Sequence, residues 1–130
     1  MGYAHDYLYW ALIVRWVDGD TVDVVIDLGF SITRKERLRL AGVNTPEMAP
    51  KHADFDTDAD REAHIEKAKE AKAYCEYLAP AGAKVLVRTF KDKTGKFGRM
   101  LAHVIPDENE MATVNQMLVE QGLAEEIDAS

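Results

Sequence analysis

A single cysteine, Cys75, stands in 130 residues, so no disulfide can close within the chain and a reducing compartment is tolerated. Long apolar runs are missing too. The longest, residues 7–17, is broken by Arg15 and falls short of the roughly 18 residues of a membrane span. No basic region precedes it in Met1-Gly2-Tyr3-Ala4-His5-Asp6, which argues against a secretory signal and for a cytoplasmic protein. Serine occurs only at positions 31 and 130, leaving a serine triad little to build on. His5, His52, His64 and His103 show no zinc spacing; His64 reads most simply as part of a helical stripe and His103 as a strand residue. Asp54-x-Asp56-x-Asp58 begins like a calcium loop, but Ala59 occupies the required glycine and Ile65 the terminal glutamate, so it reads as an acidic loop leading into a helix.

What is present fits one domain spanning residues 1–130, long enough for a core without covalent staples. The net charge of -7 argues at face value against a polyanion partner, because sequence-independent affinity for nucleic acid comes from Lys and Arg displacing counterions. The distribution counters this. Ten of the 16 basic residues fall in two stretches, Arg34, Lys35, Arg37 and Arg39, then Lys84, Arg88, Lys91, Lys93, Lys96 and Arg99. None follows Arg99, whereas Asp107, Glu108, Glu110, Glu120, Glu125, Glu126 and Asp128 do. One basic face on an acidic remainder can engage nucleic acid with steep salt dependence.

Residues 10–17 are rich in β-branched and aromatic side chains. Residues 21–28 alternate, with Val22, Val24, Ile26 and Leu28 on one face and Asp23 and Asp27 on the other. This predicts a half-buried strand. Asp18-Gly19 between the two is a hairpin-turn signal. Residues 35–40 alternate as well, Leu38 and Leu40 against Arg37 and Arg39, and close a three-stranded meander. Pro46 then ends the sheet and biases Thr45 to an extended conformation.

His64, Ala68, Ala71, Cys75 and Leu78 recur at helical spacing behind a Thr57-x-x-Asp60 cap, and Pro80 and Gly82 stop that helix. Cys75 lies on this stripe and reads as core, not nucleophile. Two more strands, residues 85–90 and 100–105, precede a second helix capped by Thr113-x-x-Gln116 and ended by Gly122. The order of three strands, helix, two strands, helix predicts an α+β, mainly β fold. It is a five-stranded oligonucleotide-binding (OB-fold) barrel with an inserted helix and a C-terminal helix.

Four pieces of sequence carry chemistry: Asp18-Gly19-Asp20-Thr21, Arg39, Asn44-Thr45-Pro46-Glu47 and Lys96-Phe97-Gly98-Arg99. They bring oxygen ligands, a carboxylate base and two guanidiniums, the means of cutting a phosphodiester with one hard cation. Each has a plainer reading alone. Asp18-Gly19 serves any hairpin, a strand arginine is commonly a solvated edge charge, and Glu47 suits a helix start. Together, and with Val114-Asn115 and Gln121-Gly122-Leu123-Ala124, they resemble the staphylococcal nuclease-like (thermonuclease) family over nearly the whole chain, about residues 10–124.

The resemblance implies Ca²⁺-dependent hydrolysis of DNA and/or RNA, with single strands preferred, by a monomer that needs no membrane or disulfide partner. It implies metal ligands in Asp20, Asn44 and the Thr45 carbonyl, with Asp18 one step further from the ion. Catalytic roles fall to Arg39, Glu47 and Arg99, and substrate binding to Lys96 and Phe97. Three departures stand out. Asn44 replaces a carboxylate, which lowers the charge on the ion site and so its affinity. Phe97 keeps the ring of a pocket tyrosine without its hydroxyl, and Asp128 and Ser130 fall about where two further tyrosines are expected. These departures motivate an alternative, a non-catalytic OB-fold module that binds nucleic acid or protein, including as a component of a larger assembly.

Overall fold

Alternation at the start of the chain becomes a hairpin of β1 (Tyr7–Asp18) and β2 (Thr21–Asp27) in the computed structural model, which describes residues 7–91 and 100–127. β3 (Thr33–Leu40) and β4 (Val43–Asn44) follow, then α1 (Asp58–Leu78), β5 (Lys84–Lys91), β6 (Met100–Ile105), α2 (Val114–Glu120) and β7 (Glu125–Glu126). Five of these strands close a barrel in the order β1-β2-β3-β6-β5. Its neighbours are antiparallel except β3 and β6, which run parallel with Arg39 opposite Leu101. The expected OB-fold barrel, with one helix inserted after the third strand and one near the end, is therefore the fold. β1 serves two neighbours because it is long and bends at register shifts between Ile13 and Arg15 and between Trp16 and Asp18.

The inward residues are those the alternation selects: Val22, Val24 and Ile26 on β2, Leu38 and Leu40 on β3, all buried. Trp16 is buried among them, and its indole N–H donates to the Ala79 carbonyl at 2.9 Å. This satisfies the one polar group of a large apolar side chain. Leu28 departs from the pattern: β2 ends at Asp27, Leu28 enters the turn to β3, and it is 40% exposed.

α1 begins where its cap predicts, the Thr57 side chain accepting from the Asp60 N–H at 3.0 Å. It packs on the barrel through small residues, Ala68, Ala71 and Cys75, all buried. Their size permits a close approach to the β1–β2 turn. A Cβ on Gly19 would lie 2.8 Å from the Ala71 Cβ and 3.0 Å from the Thr45 Oγ1. Gly19 does not adopt positive φ, so packing demands this glycine. The buried Cys75 thiol donates to the Gly19 carbonyl at 3.2 Å, holding the turn against the helix, and burial pushes its pKa well above the ordinary thiol value.

α2 is capped by Thr113, whose side chain accepts from the Gln116 N–H at 3.0 Å, and is followed by Gly122 at φ +72. Its Asn115, 4% exposed, donates to the carbonyls of Ala41 (2.9 Å) and Ala102 (3.0 Å) and accepts from the Val104 N–H. One amide thus ties α2 to β6 and to the chain leaving β3. Beyond that point a short ladder forms, Val43 opposite Glu126 and Asn44 opposite Glu125. The segment carrying Asn44 is thereby fixed from both ends.

Candidate active site

The β1–β2 turn delivers Asp20 to the mouth of the barrel, where it is 7% exposed. Its Oδ1 accepts from the Thr21 hydroxyl at 3.0 Å, and its Oδ2 accepts from the Thr45 N–H at 3.0 Å. Arg39 adds an ion pair, Nη1 to Oδ2 at 3.2 Å. The register explains the meeting: Thr21 is the cross-strand partner of Arg39, and the Leu40 N–H donates to the Asp20 carbonyl at 2.8 Å. A carboxylate so surrounded is buried without being orphaned.

Arg39 is held on several further acceptors. Its Nη1 donates to the carbonyls of Val43 (2.9 Å) and Leu40 (3.3 Å), and its Nη2 donates to the Asn44 Oδ1 at 3.1 Å. A strand arginine of the plain kind is solvated, whereas this side chain is only 17% exposed. Asp18, at the end of β1, accepts from the Met48 N–H at 2.9 Å. That bond pins the chain beside Glu47, which is itself exposed and makes no hydrogen bond or ion pair with a described residue.

Asp18, Asp20, Arg39, Asn44, Thr45 and Glu47 all line one cleft of about 550 Å³, together with Thr21, Arg37, Pro46 and His64. Six of the nine candidate residues are thus brought together. Arg99, Lys96 and Phe97 lie outside the described residues, as do Asp128 and Ser130. The side chains that line the cleft include carboxylates and an amide, whose oxygens suit a hard cation such as Ca²⁺. The Thr45 Oγ1 is buried beside Gly19 and has no hydrogen-bond partner among the described residues. Among the described residues, however, no group of three or more His, Cys, Asp or Glu side chains gathers to hold a metal.

On the outer face next to the cleft, Asp23 accepts from Arg37 Nε at 2.8 Å and from Arg15 Nε at 3.2 Å. The Arg37 hydrogen bond, with Arg15 assisting against partial burial, holds the Asp23 carboxyl below its usual range, and the same contact raises Arg37.

Sequence reasoning missed His64 as a cleft residue. It sits at the end of the apolar stripe of α1, and Phe55 packs on its ring at a centroid distance of 5.1 Å. Its Nε2 is buried without a hydrogen-bond partner among the described residues. The signal was available: a polar ring on a helical stripe that is otherwise alanine, cysteine and leucine. The Thr45 and Met48 amides as anchors for Asp20 and Asp18 had no such signal, since every residue but proline carries an N–H.

A closed five-stranded barrel with paired acids and an anchored arginine at its mouth defines the class, a nuclease-type OB-fold. The model of the family described as staphylococcal nuclease homologue matches residues 37–130, well over half of the chain, and the protein belongs to that family. The match takes in Arg39 and residues 44–47, while Asp18 and Asp20 lie ahead of it. No curated protein matches the chain. No helix among the described residues is long and apolar enough to cross a membrane.

Proposed function

We propose that this protein is a Ca²⁺-dependent nuclease that hydrolyses phosphodiester bonds of DNA or RNA, preferring single strands, in the cleft between the β1–β2 turn and residues 44–47. The observation that carries the reading is the convergence of Asp20, Arg39 and Glu47 on that cleft, a set that a purely binding barrel has no need to assemble. Asp20, the Thr45 carbonyl and the Asn44 side chain would hold the cation, with Asp18 beside them. When bound, such an ion polarises a phosphoryl oxygen.

The remaining chemistry belongs to the chain's own side chains. Glu47, exposed and unpaired with any described residue, would accept a proton from an attacking water. Arg39, fixed on Asp20, Asn44 and two carbonyls, offers a preorganised positive charge to the oxygens that gain charge as the bond breaks. Arg99 is the second guanidinium of the proposal, with Lys96 and Phe97 contacting the substrate.

A second reading, a barrel that binds without cleaving, draws support from one contact: Arg39 occupies the Asn44 amide oxygen that would face the ion. Incubation of the purified protein with labelled single-stranded DNA and RNA separates the two. Cleavage in Ca²⁺ that stops in chelator and in Asp20→Ala is the expected result; binding with no cleavage selects the second reading.

A further inference from the structure

A second cleft, of about 470 Å³, adjoins the first, and Asn44, Thr45, Pro46 and His64 line both. A strand whose scissile phosphate lies in the first can lay a neighbouring nucleotide over that shared wall. The far side is made by Lys67 and Glu70 of α1 and by residues 122–125, including Leu123 and Glu125.

The charges there are not spent on each other. Lys69, on the same helix, pairs with Glu66 at 3.4 Å, but Lys67, Glu70 and Glu125 form no ion pair with a described residue. Two carboxylates against one ammonium repel a phosphate, so the occupant is an uncharged part of the nucleotide. Pro46, Leu123 and the His64 ring offer apolar surface for the face of a planar group. The His64 ring, with Phe55 packed on it at 5.1 Å, is part of the wall that the two clefts share.

We propose that this second cleft is a nucleobase site that selects guanine in the nucleotide next to the scissile phosphate. It deepens the nuclease reading of the first cleft and rests on it for the placing of the strand. Guanine presents two adjacent N–H donors, N1 and N2, which match one carboxylate in a two-bond contact, and O6 as an acceptor for an ammonium. Cytosine and adenine offer a single amino group, and thymine a single ring N–H. A bidentate contact of this kind discriminates by about tenfold or more.

The test is equilibrium binding in chelator, where the proposed cleavage is silent, of a dye-labelled short oligothymidine and of the same oligonucleotide with one central guanosine. The wild type is expected to bind the guanosine strand about tenfold more tightly, and Glu70→Gln with Glu125→Gln to erase that preference. Equal affinity for the two strands in the wild type, no binding of either, or an undiminished preference in the double variant overturns the proposal. Mapping the cut sites on a mixed-sequence single strand in Ca²⁺ keeps the two readings apart. Cuts without regard to guanine remove the base site and leave the nuclease, whereas guanine-selective binding without any cuts removes the nuclease and leaves the base site.

Discussion

Arg39 and Asp20 meet at 3.2 Å with side chains only 17% and 10% exposed, so the cation on β3 and the anion at the start of β2 lock the barrel mouth before any substrate arrives. The pair is a structural element as well as a candidate catalytic one. Removing either partner leaves the other partly desolvated and unmatched.

Arg39→Ala is therefore expected to lower stability by about 1.5–3 kcal/mol, the range for hydrogen bonds to charged groups. Arg39→Lys should recover only part of this, because an ammonium cannot reproduce a fork that reaches Asn44, Val43 and Asp20 together. Urea unfolding of the three proteins checks it; a wild-type midpoint in Arg39→Ala would show the pair to be energetically idle.

Gly19 faces Ala71 across a gap that leaves a methyl group only 2.8 Å from the Ala71 Cβ. Gly19→Ala should cost about 1–3 kcal/mol by overpacking, and the loss should shrink when Ala71→Gly is combined with it. A thermodynamic cycle on these variants measures the coupling, expected at about 0.5 kcal/mol or more. Strict additivity would mean that the turn and helix do not press on each other.

Cys75 is buried, and burial raises its pKa above the unfolded value. The folded state thus keeps its thiol proton when the unfolded chain loses it. This contribution is fully present below the unfolded thiol value of about 8.5 and is lost as pH rises past it. Cys75→Ala should flatten the alkaline decline in stability, and a thiol reagent should label the native protein only at the rate of opening. Rapid labelling near neutral pH in the folded state would contradict the packing.

Asn44 sits in the short ladder with its Oδ1 on Arg39. Asn44→Asp adds a charge to an oxygen-lined site at constant size, so Ca²⁺ affinity should rise about tenfold, or about 1.4 kcal/mol. Calorimetric titration of both proteins reads this directly. Unchanged affinity would mean that residue 44 serves Arg39 alone.

The barrel was legible in the sequence because its signals are local: Val22, Val24 and Ile26 alternate with Asp23, and Thr57 and Thr113 cap the helices as their spacing predicts. The ladder of Val43 and Asn44 with Glu126 and Glu125 was not, since two residues carry no period and their partners lie at the far end of the chain. Leu28 followed the alternation yet fell in the turn, where the strand's face no longer applies. The acids and Arg39 of the site were legible as residue types. The backbone amides that aim Asp18 and Asp20, the role of Asn115, and the placing of His64 between two clefts needed the tertiary structure.

The most direct test of the central claim is the rate of cleavage of a saturating labelled single strand in Ca²⁺ by the wild type, Glu47→Gln and Arg39→Ala, with binding of the same strand measured beside it. The predicted result is wild-type cleavage abolished by chelator, and a fall of about 10² or more in each variant with the strand still bound. Three proteins that bind the strand and cut it equally, or that bind it and never cut it, would contradict the account.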